Sequence, residues 1–373
     1  MKLTSFGRYG HFPHDISGNL TVFRNALRIL FRKLHLGEVM CTLSLLQPAG
    51  AVVIRHDLDR QAYRQLASAE AFSGVVEIEV DTGFGIRRGS GVVIDEHWVL
   101  TAAHVTAGAG NHAVQVRAGG TSIGAVELRY AGGWAASPSP GLTQGGDLVL
   151  VRLGQSSSLT PAVIAPNVSP GAIAFLGGYG RSGNGILGAT SSPELLFAMN
   201  VVDRQIAAPG GGLLATDFDD GSLARNSLEA STVRRTYFDV GFDGPRLSDR
   251  LLDVAPSSSI ADWGGLPMAS SFFPWMPDEF LEGTTAAGDS GGALFVFDAS
   301  AQQWQLAGIS SWGVNPLLSD GFARTDSRYG DIALFTDLSE HGDWIAANIP
   351  EPTSLVWLGL LLLGRRVPRA ASS

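Results

Sequence analysis

The sequence predicts an all-β fold, two antiparallel β-barrels followed by a C-terminal α-helix. Three observations carry that expectation. Of the 373 residues, 47 are glycine and 18 proline, placed so that short Val/Ile/Leu runs alternate with turn clusters, the texture of many short strands. The strand-like runs form two sets, separated by LTPAVIAPNVSPG (159–171), where Pro161, Pro166 and Pro170 suggest a linker. After the second set, LSEHGDWIAANI (338–349) puts Leu338, Ile345 and Ile349 on roughly one helical face. A composition 45% hydrophobic and 16% charged is enough to bury more than one core and argues against disorder.

Taken in chain order, residues 1–51 read as a leader. Within it, Arg28, Arg32 and Lys33 precede the apolar Val39 to Leu46, and Ala49-Gly50-Ala51 follows. Basic region, short apolar region and A-x-A site are the parts of a secretory signal. The alternative is an amphipathic N-terminal helix, and Glu38 is the residue that interrupts the signal pattern. Residues 52–74 form an N-terminal arm with a short helix around Arg60 to Ala71. The first barrel spans 75–165, with strands at VVEIEV (75–80), GSGVVI (89–94), WVLTAA (98–103), AVQVRA (113–118), GAVELRY (124–130) and DLVLVRL (147–153). The second barrel spans 166–349, with strands at AIAFLGGYG, LLFAMNVVD, GALFVFD and WQLAGISSWG. It holds an irregular insertion at about 207–280 and ends in the helix. Residues 350–373 form a separate tail.

That tail reads Pro350-Glu351-Pro352, an apolar run from Leu355 to Leu363, then Arg365, Arg366 and Arg369. The run is far shorter than the ~20 residues a membrane-spanning helix needs. The order of its parts resembles the PEP-CTERM sorting signal of Gram-negative bacteria. The resemblance implies a transient inner-membrane association and a partner, a membrane-bound exosortase acting on 350–373. Together the two ends imply an exported protein, in the periplasm, on the outer surface or outside the cell.

Formal charge is −9, and the ends mask a more acidic body: residues 52–354 hold 17 Arg and no Lys against 33 Asp and Glu. Such a body disfavours nucleic acid or anionic lipid as a partner. Cys41, in the leader, is the single cysteine, so no disulfide can form within the chain and cysteine usage leaves the compartment open.

The chemistry lies in three places. VLTAAHV sets His104 after an apolar strand, GGDLVLVRL sets Asp147 before one, and GTTAAGDSGGALF (283–295) centres Ser290 among four glycines. A serine hydroxyl is a poor nucleophile until a base takes its proton and an acid orients that base. Each element alone has a bland reading, respectively a strand-edge histidine, a turn cap and a glycine turn. Together they are hard to dismiss, since at average usage of about 5 to 7% per residue type GDSGG arises roughly once in a million positions. GDSGG also fits the G-x-S-x-G nucleophile elbow, with His341 downstream as base. That elbow needs a strand before the serine and a helix after it. EGTTAAGD is a poor strand and GALFVFD reads as a strand, so the context rejects it.

These segments, with GISSWG and GDWIAANI, resemble the trypsin/chymotrypsin-like serine peptidases, in family order across roughly residues 75–349. The resemblance implies Ser290 as nucleophile, His104 as base and Asp147 as the orienting acid. It implies an oxyanion hole from the backbone N–H groups of Gly288 and Ser290, and a specificity pocket based on Thr284 and walled by Ser311, Trp312 and Gly313. Thr284 offers a neutral hydroxyl, so a basic P1 residue is not expected and small or medium neutral side chains are. The substrate is a protein or peptide, and no cofactor is implied. The disulfide positions used by many relatives are Val105 and Ala286 here. Asp289 matches the family residue that pairs with a new amino terminus freed by activation cleavage. Either cleavage after Ala51 frees Val52 to reach Asp289, or Asp289 is held internally. TDFDDG (216–221) clusters three carboxylates before a glycine but falls one residue short of the EF-hand spacing, and no metal is assigned. The expected function is an exported serine endopeptidase, and the alternative is a catalytically silent envelope protein that uses the same fold to bind a partner.

Overall fold

A computed structural model of the chain describes residues 52–118, 120–134, 145–190, 194–219, 227–228, 281–314 and 326–349. The leader, the tail and residues 229–280 of the expected insertion lie outside the described residues.

The body opens on a two-residue strand, β1 (Val53–Ile54), followed by α1 (Arg60–Ala67) and a 3-10 turn at Glu70–Phe72. Helix α1 starts where the Asp59 side chain accepts the Gln61 N–H at 2.9 Å, the usual relief for an unpaired first-turn donor. It buries Tyr63 and Leu66. Six strands then make a closed barrel: β2 (Val75–Asp81), β3 (Ile86–Asp95), β4 (Trp98–Thr101), β5 (Val114–Ala118), β6 (Thr121–Tyr130) and β7 (Val149–Leu153), in spatial order β2-β3-β4-β7-β6-β5. Alternation fixes the faces. In β2, Val76, Ile78 and Val80 are fully buried, while Glu77 and Glu79 face Arg88 and Arg117 at 2.9 to 3.8 Å on neighbouring strands.

The second half contains β8 (Val163–Ile164), β9 (Ile173–Gly178), β10 (Gly183–Asn184), β11 (Gly188–Ala189), β12 (Leu196–Val201), β13 (Arg204–Ala208) and β14 (Gly211–Asp217). It continues with β15 (Gly283–Thr284), β16 (Ala293–Asp298), β17 (Gln303–Val314) and β18 (Ile332–Asp337). Its main sheet is antiparallel in the order β12-β9-β16-β17-β18-β14-β13, with β8 parallel to β17. A smaller sheet runs β11-β10-β1-β15, so β1 is an inner strand, paired with β10 on one side and β15 on the other. A 3-10 turn at Leu338–Glu340 and the closing helix at Gly342–Asn348 end the body. No helix among the described residues is long and apolar enough to cross a membrane.

The chain is thus mostly β, with one closed six-stranded barrel and further, mostly antiparallel sheets, consistent with the double-barrel fold expected from the sequence. Two details differ from the sequence expectation. The arm is part of the second core: Phe72 lies 4.4 Å from Phe197, 5.2 Å from Phe295 and 5.7 Å from Phe175 between ring centroids. The span expected to be irregular from 207 begins with the ordered strand β14, which pairs with β18 from Gly212↔Asp337 to Asp217↔Ile332. GGLLATD lacks an alternating pattern because nearly all of it is buried, and a strand covered on both faces shows no period of two.

Candidate active site

Strand β4 ends at Thr101, and a single helical turn, α2 (Ala103–Thr106), carries His104. Thr101 pairs with Val149 of β7, which brings the residues just before β7 alongside that turn. Asp147 is fully buried there. Its Oδ1 accepts the His104 backbone N–H at 2.9 Å, and its Oδ2 faces His104 Nδ1 at 2.7 Å. An ionised carboxylate can only accept, so Nδ1 carries the ring hydrogen and Nε2 keeps its lone pair. The imidazole is therefore held in the tautomer of a general base. Residues 89–238 match the trypsin-like peptidase domain. The match takes in His104 and Asp147, ends before Ser290, and supports a serine-type peptidase.

Ser290 sits on the turn between β15 and β16, half-buried. The turn is pinned to the first barrel by Ser90, whose N–H donates to the Ser290 carbonyl at 2.8 Å and whose hydroxyl donates to the Gly288 carbonyl at 2.9 Å. Gly291 has φ +84, and a methyl there would lie 2.0 Å from Thr101 Oγ1 and 2.1 Å from the Ser90 carbonyl. No other residue fits. A methyl on Gly89 would meet Val105 Cγ1 at 2.7 Å and the Ser290 carbonyl at 3.1 Å, so one point on β3 touches both the residue after His104 and the serine turn.

The backbone donors of the turn divide in two. Asp289, Gly291 and Gly292 N–H groups are bonded, to Ala286, Ser310 and Asp289 carbonyls at 2.9, 2.7 and 2.7 Å. Those of Gly288 and Ser290 donate to nothing among the described residues. Gly288, at φ +99, is the residue that permits this.

Asp289 is fully buried. Its Oδ1 accepts Gly180 N–H at 2.8 Å, and its Oδ2 accepts Ala286 N–H at 2.7 Å and Val52 N–H at 3.1 Å. Burial pushes its carboxyl up to about 6 despite those three donors. Val52 is fully buried with φ +67, a backbone conformation that is costly for a β-branched residue.

Thr284 is buried in β15 and pairs with Val53 of β1, so the expected pocket base rests on the arm. Trp312 and Gly313 lie in β17 opposite Leu334 and Ala333. The register slips between Ser310 and Trp312, leaving Ser311 on a bulge, a device that re-aims one side chain. Its hydroxyl, expected in the pocket wall, donates to Asp147 Oδ2 at 2.5 Å. Sequence reading placed Ser311 near the site but missed this role. The serine's position in ISSWG, one residue before Trp312, does not reveal a bulge.

His341 of the rejected elbow reading bonds the Gly145 carbonyl instead, at 2.8 Å. In TDFDDG, Asp217 Oδ2 accepts the Ser227 and Leu228 N–H groups at 2.6 and 3.0 Å. Among the described residues no group of His, Cys, Asp and Glu could hold a metal ion; Asp220 and Gly221 lie outside them.

Proposed function

We propose that the chain is an exported serine endopeptidase acting through His104, Asp147 and Ser290. The observation that carries this reading is the Nδ1-to-carboxylate bond at 2.7 Å beside a serine turn that leaves the Gly288 and Ser290 N–H groups unspent. His104 Nε2 takes the proton from Ser290 as Oγ attacks the scissile carbonyl, then returns it to the leaving amine. Asp147 keeps the ring oriented and stabilises the imidazolium that forms between those steps. The Gly288 and Ser290 donors hold the oxyanion, a role worth about 3 to 4 kcal/mol for one lost donor in a comparable enzyme. Water then hydrolyses the acyl-enzyme by the same base.

The Val52 nitrogen beside Asp289 favours cleavage after Ala51 as the activating event. It would replace a neutral amide with an ammonium next to a buried carboxyl, and would release Val52 from its positive-φ constraint, since an amino-terminal residue has no φ. On this reading removal of the leader switches the enzyme on. N-terminal sequencing of the active protein should find Val52, and a start well away from it overturns this version.

Labelling of the purified protein by a fluorophosphonate, abolished by Ser290→Ala, tests the peptidase reading. A folded protein that neither labels nor cleaves peptides is the silent binding protein instead. Peptide-library profiling should give small or medium neutral P1 residues at Thr284, and strong cleavage after Arg or Lys excludes that assignment. The tail from 350 to 373 is proposed as an exosortase substrate at the inner membrane. Mature protein that keeps these residues when exosortase is present counts against it.

A further inference from the structure

A buried histidine outside the proposed triad ties the two barrels together two residues from Asp147. His341 follows β18 in the second half of the fold and is 6% exposed. Its Nε2 lies 2.8 Å from the carbonyl of Gly145, which belongs to the segment leading into β7 of the first barrel. A carbonyl only accepts, so Nε2 carries the hydrogen and donates. Burial lowers the ring's proton affinity, in keeping with a neutral donor.

The surroundings make this bond a fixed spacer. Gly145 has φ +76, and a methyl there would lie 2.7 Å from the Gly212 carbonyl. A methyl on Gly146 would lie 2.9 Å from Gly133, and one on Gly211 only 2.3 Å from His341 Nε2. Bare backbone is thus pressed against bare backbone from both barrels, and the imidazole is the side chain that sets the gap. The next residue, Asp147, accepts from His104 twice and from Ser311 once. Such a cluster tolerates little displacement.

We propose that His341 is a positioning residue for Asp147. It holds the Gly145–Gly146 backbone from the second barrel, so the acid stays in register with His104 from one barrel and Ser311 from the other. This rests on the peptidase reading above. It goes beyond that reading in giving the C-terminal end of the fold a part in the alignment of the triad.

The test uses the full mature protein and three variants. His341→Leu removes the donor, His341→Gln keeps an amide N–H near the Nε2 position, and Gly211→Ala pushes the ring aside with a methyl group while the histidine itself is kept. Peptide cleavage should show His341→Leu lowering kcat about tenfold with KM nearly unchanged, the size expected of a misplacement well under 1 Å. His341→Gln should recover most of the loss, and Gly211→Ala should reproduce it. The low-field proton signal of the His104 Nδ1–H bonded to Asp147 should shift or broaden in His341→Leu and Gly211→Ala and return in His341→Gln.

A folded His341→Leu with unchanged kcat and an unchanged signal overturns the proposal, as does a glutamine variant no better than leucine. If the leucine variant does not fold, the other two decide. If the wild-type protein neither cleaves nor labels, the peptidase reading falls. The proton signal then still shows whether His341 positions Asp147.

Discussion

Ser311 and Glu282 show two opposite fates of a buried polar side chain. The Ser311 hydroxyl supplies Asp147 with a charge-assisted bond, of a kind worth about 1.5 to 3 kcal/mol. Ser311→Ala should therefore lower kcat by roughly ten- to a hundredfold and leave KM little changed, measured by steady-state peptide cleavage. Glu282 is 1% exposed; its Oε1 accepts the Asp219 N–H at 3.1 Å, and its Oε2 has no hydrogen-bond partner. Burial, then the neighbouring Asp219, raise its carboxyl well above the usual range. Because the folded value exceeds the unfolded one, the native state binds the extra proton, and stability falls as pH rises from about 4.5 towards the raised value. Glu282→Gln should accordingly unfold at higher urea than the parent at neutral pH, with the advantage disappearing near pH 4. A variant weaker than the parent at pH 7 would show that the carboxyl has a partner it needs. Of these two residues the sequence marked only Ser311. A glutamate two positions before a pocket residue looks like any acidic turn residue until its burial is known.

Most of the longer strands were readable; the almost wholly buried β14 was not, and nor were the shortest ones. VVEIEV and GALFVFD became β2 and β16 almost residue for residue. WVLTAA broke after Thr101, where α2 takes over. The two-residue strands β1, β8, β10, β11 and β15 have no period to detect, and tertiary pairing alone creates them. The same holds for the arm, part of whose attachment is one aromatic side chain. Phe72 stacks among Phe175, Phe197, Phe295 and Trp304, and nothing in SAEAFSG announces it. Phe72→Ala should cost about 3 to 5 kcal/mol, read as a lower urea midpoint at constant m-value. A loss under 1 kcal/mol would mean that the arm is a dispensable cover.

At the scale of the molecule, the three motifs proposed to carry the chemistry are spread over some 190 residues, and only the fold can bring them together. Their order and residue types were legible, and so was the architecture; the ties through Ser90, Ser311 and His341 were not, because each depends on a contact across the barrels. The pairing of Val52 with Asp289 gives a pH prediction for a protein cleaved after Ala51, as proposed above. An α-amino group ordinarily titrates near 8, and a buried carboxylate beside it raises that value. Its stabilising effect is thus present below about 8, as long as Asp289 is ionised, and is lost as pH climbs through the raised value. Activity should fall reversibly in alkali, and protein acetylated at Val52 should lack it at every pH. Equal activity of the acetylated form would mean that Asp289 is held by Gly180 and Ala286 alone.

The place of β1 also sets an order of events in folding. Val52 meets an aspartate 237 residues further along the chain, and β1 cannot find both its neighbours until β10 and β15 exist. The cost of closing a loop rises only slowly with its length, but pairing between strands so far apart in sequence is of the kind that slows folding. A nascent or partly folded chain therefore lacks its Val52–Asp289 contact however early the first barrel forms. On the proposed reading, a chain whose second half has not yet folded cannot be switched on, whatever the state of its leader.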